Sequence, residues 1–274
     1  MTAPVRLLVP LDDSPNAMAV LPVARGLAIL NGASVAVIHV GGEALEPSDL
    51  TDRMKLSAED VRGLVIDHCA GPPADAIVRE ATLRHAALIV MCSTAETDPL
   101  EGVPGDVLER ASCPVVFVPP IRDRHPWELR QLVLPHDGTP TSAAAIAPIA
   151  DLASRAGADL VVLHIATPDA ERPGEPGSFV APRYLDQPQH EWPAWEQEFL
   201  DRVRGLAHPN EIDKIRLELA HGEAGGAIVE FARHNASDLI ALAWRGSVEP
   251  ERARTVRRVI RDVSCPVIVF RVGV

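Results

Sequence analysis

The chain has 274 residues, enough for two domains that each bury a core of their own. Hydrophobic residues make up 47% and charged ones 23%, and no apolar run approaches the roughly 18 residues of a membrane span, so the expectation is a globular cytoplasmic protein with no membrane partner. A formal net charge of −12 removes the positive surface on which nonspecific nucleic-acid binding depends; an anionic ligand must find a local positive site.

A first strand is expected at 5–10, and it runs into Asp12-Asp13-Ser14-Pro15. Ser14 suits a helix N-cap and Pro15 the first helical position, where a missing amide is harmless. Ala17, Val20, Leu21, Ala24 and Ala28 then recur at helical spacing. Short β-branched runs predict strands at 34–40, 63–69, 87–92 and 114–118, with amphipathic stretches between them, the pattern of βαβ units on a parallel sheet. The loop after the fourth strand is acidic, with Glu96, Asp98 and Glu101 ahead of Gly102. After 119–128 the pattern restarts. A strand at 131–135 meets Asp137-Gly138-Thr139-Pro140, a helix follows through Ile146, Ile149, Ala150 and Ala153, and further strands are expected at 159–165, 214–220, 238–243 and 266–271. A proline-rich insertion at about 167–191 interrupts this second half, with Tyr184 inside it and Trp192 and Trp195 just beyond. It reads as a lid over a pocket, as a subunit contact or as a loop packed on its own domain. Cys69, Cys92, Cys113 and Cys265 are far apart and form no CxxC pair, which speaks against a disulfide framework or a zinc site.

The two halves are copies. VPLDDSP at 9–15 falls on LPHDGTP at 134–140, NGASVAVIHV on AGADLVVLHI, and SCPVVFV on SCPVIVF, at offsets that grow stepwise along the chain. Domains 1–122 and 128–274 follow, the second holding the insertion. Open parallel sheets bind ligands at the carboxyl ends of their strands, where strand order reverses. The loops after the first and fourth strands of each copy are therefore the candidates. An Asp in the first of these loops serves a ligand or caps the turn.

These motifs, a strand ending in Asp-Gly-Thr or Asp-Asp-Ser, HV or HI closing the second strand, and SCPV opening the last, resemble the universal stress protein family over nearly the whole chain outside the insertion. The resemblance implies two Rossmann-like α/β units, each a five-stranded parallel sheet with helices on both faces, joined in one chain as a pseudo-dimer with the two last strands paired. It implies a stress-response protein binding ATP or another adenine nucleotide with magnesium. Adenine contacts carry over onto Asp12 with Val40 and onto Asp137 with Ile165. The family's glycine-rich phosphate loop is degenerate here. Cys92, Ala95 and Glu101 stand at the glycine positions of the first copy, with Gly102 after them, and Ala243, Gly246 and Ala253 stand there in the second, followed by Arg254 and Thr255. A Cβ holds backbone amides away from phosphate oxygens, and carboxylates repel them. From Arg245 to Arg261 the second copy has six arginines against two glutamates.

A nucleotide is therefore expected in the second copy, on Pro135, Asp137, Gly138, Thr139, Ile165, Arg245, Gly246, Arg254 and Thr255, with Asp12, Val40 and Gly102 as the weaker first-copy set. The competing reading is a tandem scaffold that binds a protein partner, or a second copy of itself, through pockets that have lost their ligand. No Walker lysine, nucleophile elbow or helical metal-ligand pair supports an enzyme, and the resemblance implies at most slow ATP hydrolysis.

Overall fold

The computed structural model of the protein describes residues 6–12, 19–40, 47–53, 56–57, 59–93, 98–120, 126–166, 176–179, 188–206, 214–245, 248–249 and 253–272. The chain divides into two compact units, one of Met1–Glu128, Gly246–Ala253 and Pro266–Val269, the other of Leu129–Arg245, Arg254–Cys265 and Phe270–Val274.

In the first unit the order is β1 (Arg6–Leu11), α1 (Val20–Asn31), β2 (Ser34–Val40), α2 (Pro47–Arg53), β3 (Val65–Cys69), α3 (Pro73–Leu83), β4 (Ala86–Cys92), α4 (Val103–Arg110) and β5 (Val115–Val118). These strands lie side by side as β3-β2-β1-β4-β5, all parallel. Consecutive residues Leu7, Leu8 and Val9 are all fully buried, so β1 is covered on both faces, as strands of a doubly wound sheet must be. α1 turns Val20, Leu21, Val23, Ala24 and Leu27 inward and stops at Gly32, whose φ of 57° is the left-handed conformation that glycine adopts freely. The segment 266–269, which belongs to this unit, pairs antiparallel with β5, setting Val267 opposite Phe117 and Val269 opposite Val115. That pairing covers an edge of wholly buried valines and phenylalanine.

In the second unit the order is β6 (Gln131–Pro135), α5 (Pro140–Ala143), α6 (Ile146–Ala156), β7 (Asp159–Ala166), α7 (Pro188–Leu206), β8 (Ile215–His221), α8 (Ala224–His234), β9 (Leu239–Trp244) and α9 (Arg254–Asp262), and of β10 (Val267–Arg271) only the last two residues belong to it. The strands run β9-β6-β7-β8, parallel, and Val272, just after β10, donates its amide to the Trp244 carbonyl at 2.9 Å. The ten strands fall within two residues of their expected bounds.

The first helix of the second copy departs from expectation, because it is two helices. Thr139 caps α5 and Pro140 occupies its first position as read, but Pro148 has no amide to give the carbonyl of Ala144, and the ladder breaks between α5 and α6. The helix after the insertion starts at Pro188, inside the bounds expected for the insertion, and the proline again opens a helix without losing a hydrogen bond. Ser14, Pro15, Ala17, Ala95, Glu96 and Tyr184 lie outside the described residues.

Candidate functional site

Each unit reverses its strand order once, between β1 and β4 in the first and between β6 and β9 in the second. The carboxyl ends of these strands converge there and carry the candidate residues.

In the first unit they enclose a cleft of about 360 Å³. Asp12 follows β1, Val40 ends β2, Met91 and Cys92 end β4, and Glu101 and Val103 stand at the start of α4. Burial first, and then the nearby charge of Asp12, pushes the Cys92 thiol up to about 11, so this sulfur stays protonated and weakly reactive. The walls are otherwise apolar, with Ile77 and Pro104 among them. Gly102 is the N-cap of α4 with φ of 69° and lies between two lining residues rather than lining the cleft itself.

In the second unit Asp137 is fixed in place. Its Oδ1 accepts the Thr139 amide at 3.0 Å, the Thr139 hydroxyl at 2.6 Å and the Ser142 hydroxyl at 2.7 Å. Burial alone would raise its pKa, but these hydrogen bonds outweigh burial and hold it below the ordinary carboxylate value. Both readings of an Asp in this loop thus have a basis: Oδ1 is occupied as a cap, and the residue is still exposed. Pro135 and Ile165 are half-buried at the ends of β6 and β7. Arg245 follows β9 on the surface, and Arg254 and Thr255 open α9. Gly246 lies outside the described residues. Two of the arginines counted from the sequence are committed elsewhere. Arg258 binds Glu223 at 2.5 Å, the residue that caps α8 through the amides of Gly225 and Gly226, and Arg261 binds Asp262 at 2.8 Å. Arg254 makes no ion pair among the described residues.

The cleft of about 460 Å³ in this unit is not built on the Asp137, Ile165 and Arg254 set. It is lined instead by Gly138 and Thr139 of the loop together with Phe179, Phe199 and Arg202. The insertion provides one wall. The Phe179 amide donates to the Gly138 carbonyl at 2.8 Å, and a Cβ on Gly138 would lie 2.1 Å from the Phe179 oxygen. Glycine is required at 138 by this approach and by its φ of 82°. Behind the wall, Trp195 stacks on Phe179 with ring centroids 6.0 Å apart and packs on His164 at 4.9 Å. The sequence reading missed Phe179, Phe199, Arg202 and His136. Only His136 left a signal: it takes the place of Leu11 in the first copy, a polar ring at a core position.

Among the described residues there is no group of three or more acidic, histidine or cysteine side chains placed to hold a metal ion, and no helix is long and apolar enough to cross a membrane.

The family model described as Universal stress protein family matches residues 5–119 and 128–271. A universal stress protein of Methanocaldococcus jannaschii is 28% identical over 147 residues, which are 52% of this chain and 82% of that protein. A universal stress protein from Archaeoglobus fulgidus overlays with a TM-score of 0.62 at 16% identity, over 98% of both chains. A functionally unknown protein from Pseudomonas aeruginosa does so with a TM-score of 0.62 at 18% identity, over 98% of this chain and 93% of that one. At such identities the two overlays speak for the fold.

Proposed function

The chain belongs to the universal stress protein family, and on that premise we propose that it is a stress-response regulatory protein whose ligand is an adenine nucleoside or nucleotide. The observation that carries this reading is the first-unit cleft, in which Asp12 and Val40, the two positions that the family resemblance assigns to adenine, line one space of about 360 Å³. The carboxylate of Asp12 is an acceptor for the exocyclic amine of the base, and the main chain at Val40 supplies an amide and a carbonyl to the ring edge. Ile77, Met91 and Pro104 offer apolar surface to the flat ring. Glu101 on the same wall opposes phosphate, so adenosine or a monophosphate suits this cleft and a triphosphate does not.

A second reading keeps the nucleotide in the second unit, on Asp137, Thr139, Ile165, Arg254 and Thr255, with magnesium on the phosphates. Arg254 favours it, as an exposed cation without an ion pair among the described residues at the start of α9. Calorimetric titration with adenosine, AMP and magnesium ATP separates the two. Adenosine is expected to bind once per chain and to lose at least tenfold in affinity in Asp12→Ala, with Asp137→Ala unchanged. The opposite pattern assigns the ligand to the second unit. No binding of any of the three leaves the tandem scaffold reading.

A further inference from the structure

The second-unit cleft calls for a ligand of different chemistry. Among the described residues its walls are mostly apolar, formed by Pro140, Ala143, Ile146, Phe179, Phe199 and Val203, with Thr139 and Arg202 as the polar side chains beside them. One polar ring is buried in it: His136 is 6% exposed. The Gly138 amide donates to its Nδ1 at 2.9 Å, so Nδ1 carries no proton and the neutral ring holds its hydrogen on Nε2. Nε2 is buried and has no hydrogen-bond partner among the described residues, although the ring meets Phe199 edge to face with centroids 5.0 Å apart. Burial, followed by the nearby His164, drives the pKa of His136 down to about 4 against the opposing charge of Asp137, so the ring is a neutral donor throughout the physiological range. A buried donor without an acceptor is costly, and a mostly apolar cavity with one convergent polar group is the usual form of a small-molecule site. The charge at the rim is already balanced. Arg202 lies 4.0 Å from the Phe179 ring centroid and is paired with Glu198 at 2.7 Å.

We propose that this cleft binds a small neutral aromatic molecule with a single carbonyl-type acceptor, its ring against the apolar walls and its oxygen on His136 Nε2. Asp137, Ile165 and Arg254 do not line the cleft, so the site is separate from the first-unit adenine reading and shares only Thr139 with the second-unit one. The first unit has no counterpart, because Leu11 occupies the position of His136.

Acetophenone and ethylbenzene, which match in shape and differ in the acceptor, test this on the full-length protein by calorimetry and by tryptophan fluorescence, since Trp195 stacks on the wall residue Phe179. Acetophenone should bind at least tenfold tighter than ethylbenzene. His136→Leu, which installs the first-copy residue, should bring the two to the same affinity, and Ala143→Phe should abolish both by filling the cleft while leaving His136 intact. Asp12→Ala should change neither, whatever becomes of adenosine binding. The proposal is overturned by no binding of either probe, by equal affinities in the wild type, by a preference that survives His136→Leu, or by benzoate binding more tightly than acetophenone. Displacement of acetophenone by adenosine would overturn it too, by merging the two sites.

Discussion

His136 and Asp137 are neighbours with opposite demands. The histidine is buried as a neutral ring, and the carboxylate is held ionised by three hydrogen bonds to one oxygen. Each makes stability depend on pH, in separate windows. With a pKa of about 4 in the folded state against an ordinary value of 6.5, His136 takes up its proton more readily in the unfolded chain. Its contribution is therefore complete above the ordinary value and is lost as pH falls from 6.5 to about 4, by at most about 3 kcal/mol. His164 is lowered as well, chiefly by burial, and pushes in the same direction. Asp137, lowered from 3.8, loses its contribution only below that value. Urea unfolding of the wild type and of His136→Leu at several pH values should show their stability difference shifting against the wild type from pH 6.5 to 4, and staying flat above 7. A difference that does not change with pH would mean that the ring is not buried in its neutral form.

Among the elements, the ones legible in the sequence were those that short-range chemistry dictates. β-branched runs located the strands, and Thr139-Pro140 marked a helix start, because a cap and a preset φ act within four residues. What sequence alone left hidden arises from contacts between distant segments. Phe179 meets Gly138 across some forty residues, and nothing in a proline-rich stretch says which of its side chains folds back. The break between α5 and α6, one turn ahead of Pro148, was not legible from that proline alone, since a proline in the first turn of a helix is tolerated, as Pro22 is in α1 and Pro148 is in α6. Glycines show the same divide. Gly32 and Gly157 end α1 and α6 with φ of 57° and 66° and nothing near an added Cβ, so alanine at either should cost about 1 kcal/mol from left-handed strain alone. Gly105 sits inside α4, where propensity would favour alanine by about 1 kcal/mol. An added Cβ there would lie 2.2 Å from the Leu100 carbonyl oxygen, on the turn leading to Glu101. Gly105→Ala should therefore destabilise by about 2 kcal/mol or more, and thermal unfolding that ranks it below both cap variants in cost would contradict this packing.

Taken whole, the protein is an anion of formal charge −12, and this decides how it meets phosphate. Any approaching polyphosphate is repelled unless a local excess of cations overcomes the general field. The sequence count placed that excess around α9, yet Arg258 and Arg261 are tied to Glu223 and Asp262, which leaves a smaller field there than the count implied. At the first-unit cleft the local and general fields have the same sign, because Asp12 and Glu101 both line it. Screening acts on these two situations in opposite directions. The Debye length shrinks from about 10 Å at 0.1 M salt to about 3 Å at 1 M, which weakens repulsion and attraction alike. Uncharged adenosine should bind with an affinity nearly independent of salt. Magnesium ATP at the first-unit cleft should bind more weakly than adenosine at low salt and gain severalfold as sodium chloride rises from about 0.05 to 0.5 M, because repulsion is being removed. If it were held by Arg254 at the start of α9, the same titration would lose affinity, because attraction is being removed. The slope of affinity against salt thus assigns the site by its sign, without a mutation, and a falling slope for magnesium ATP would overturn the first-unit assignment for nucleotides.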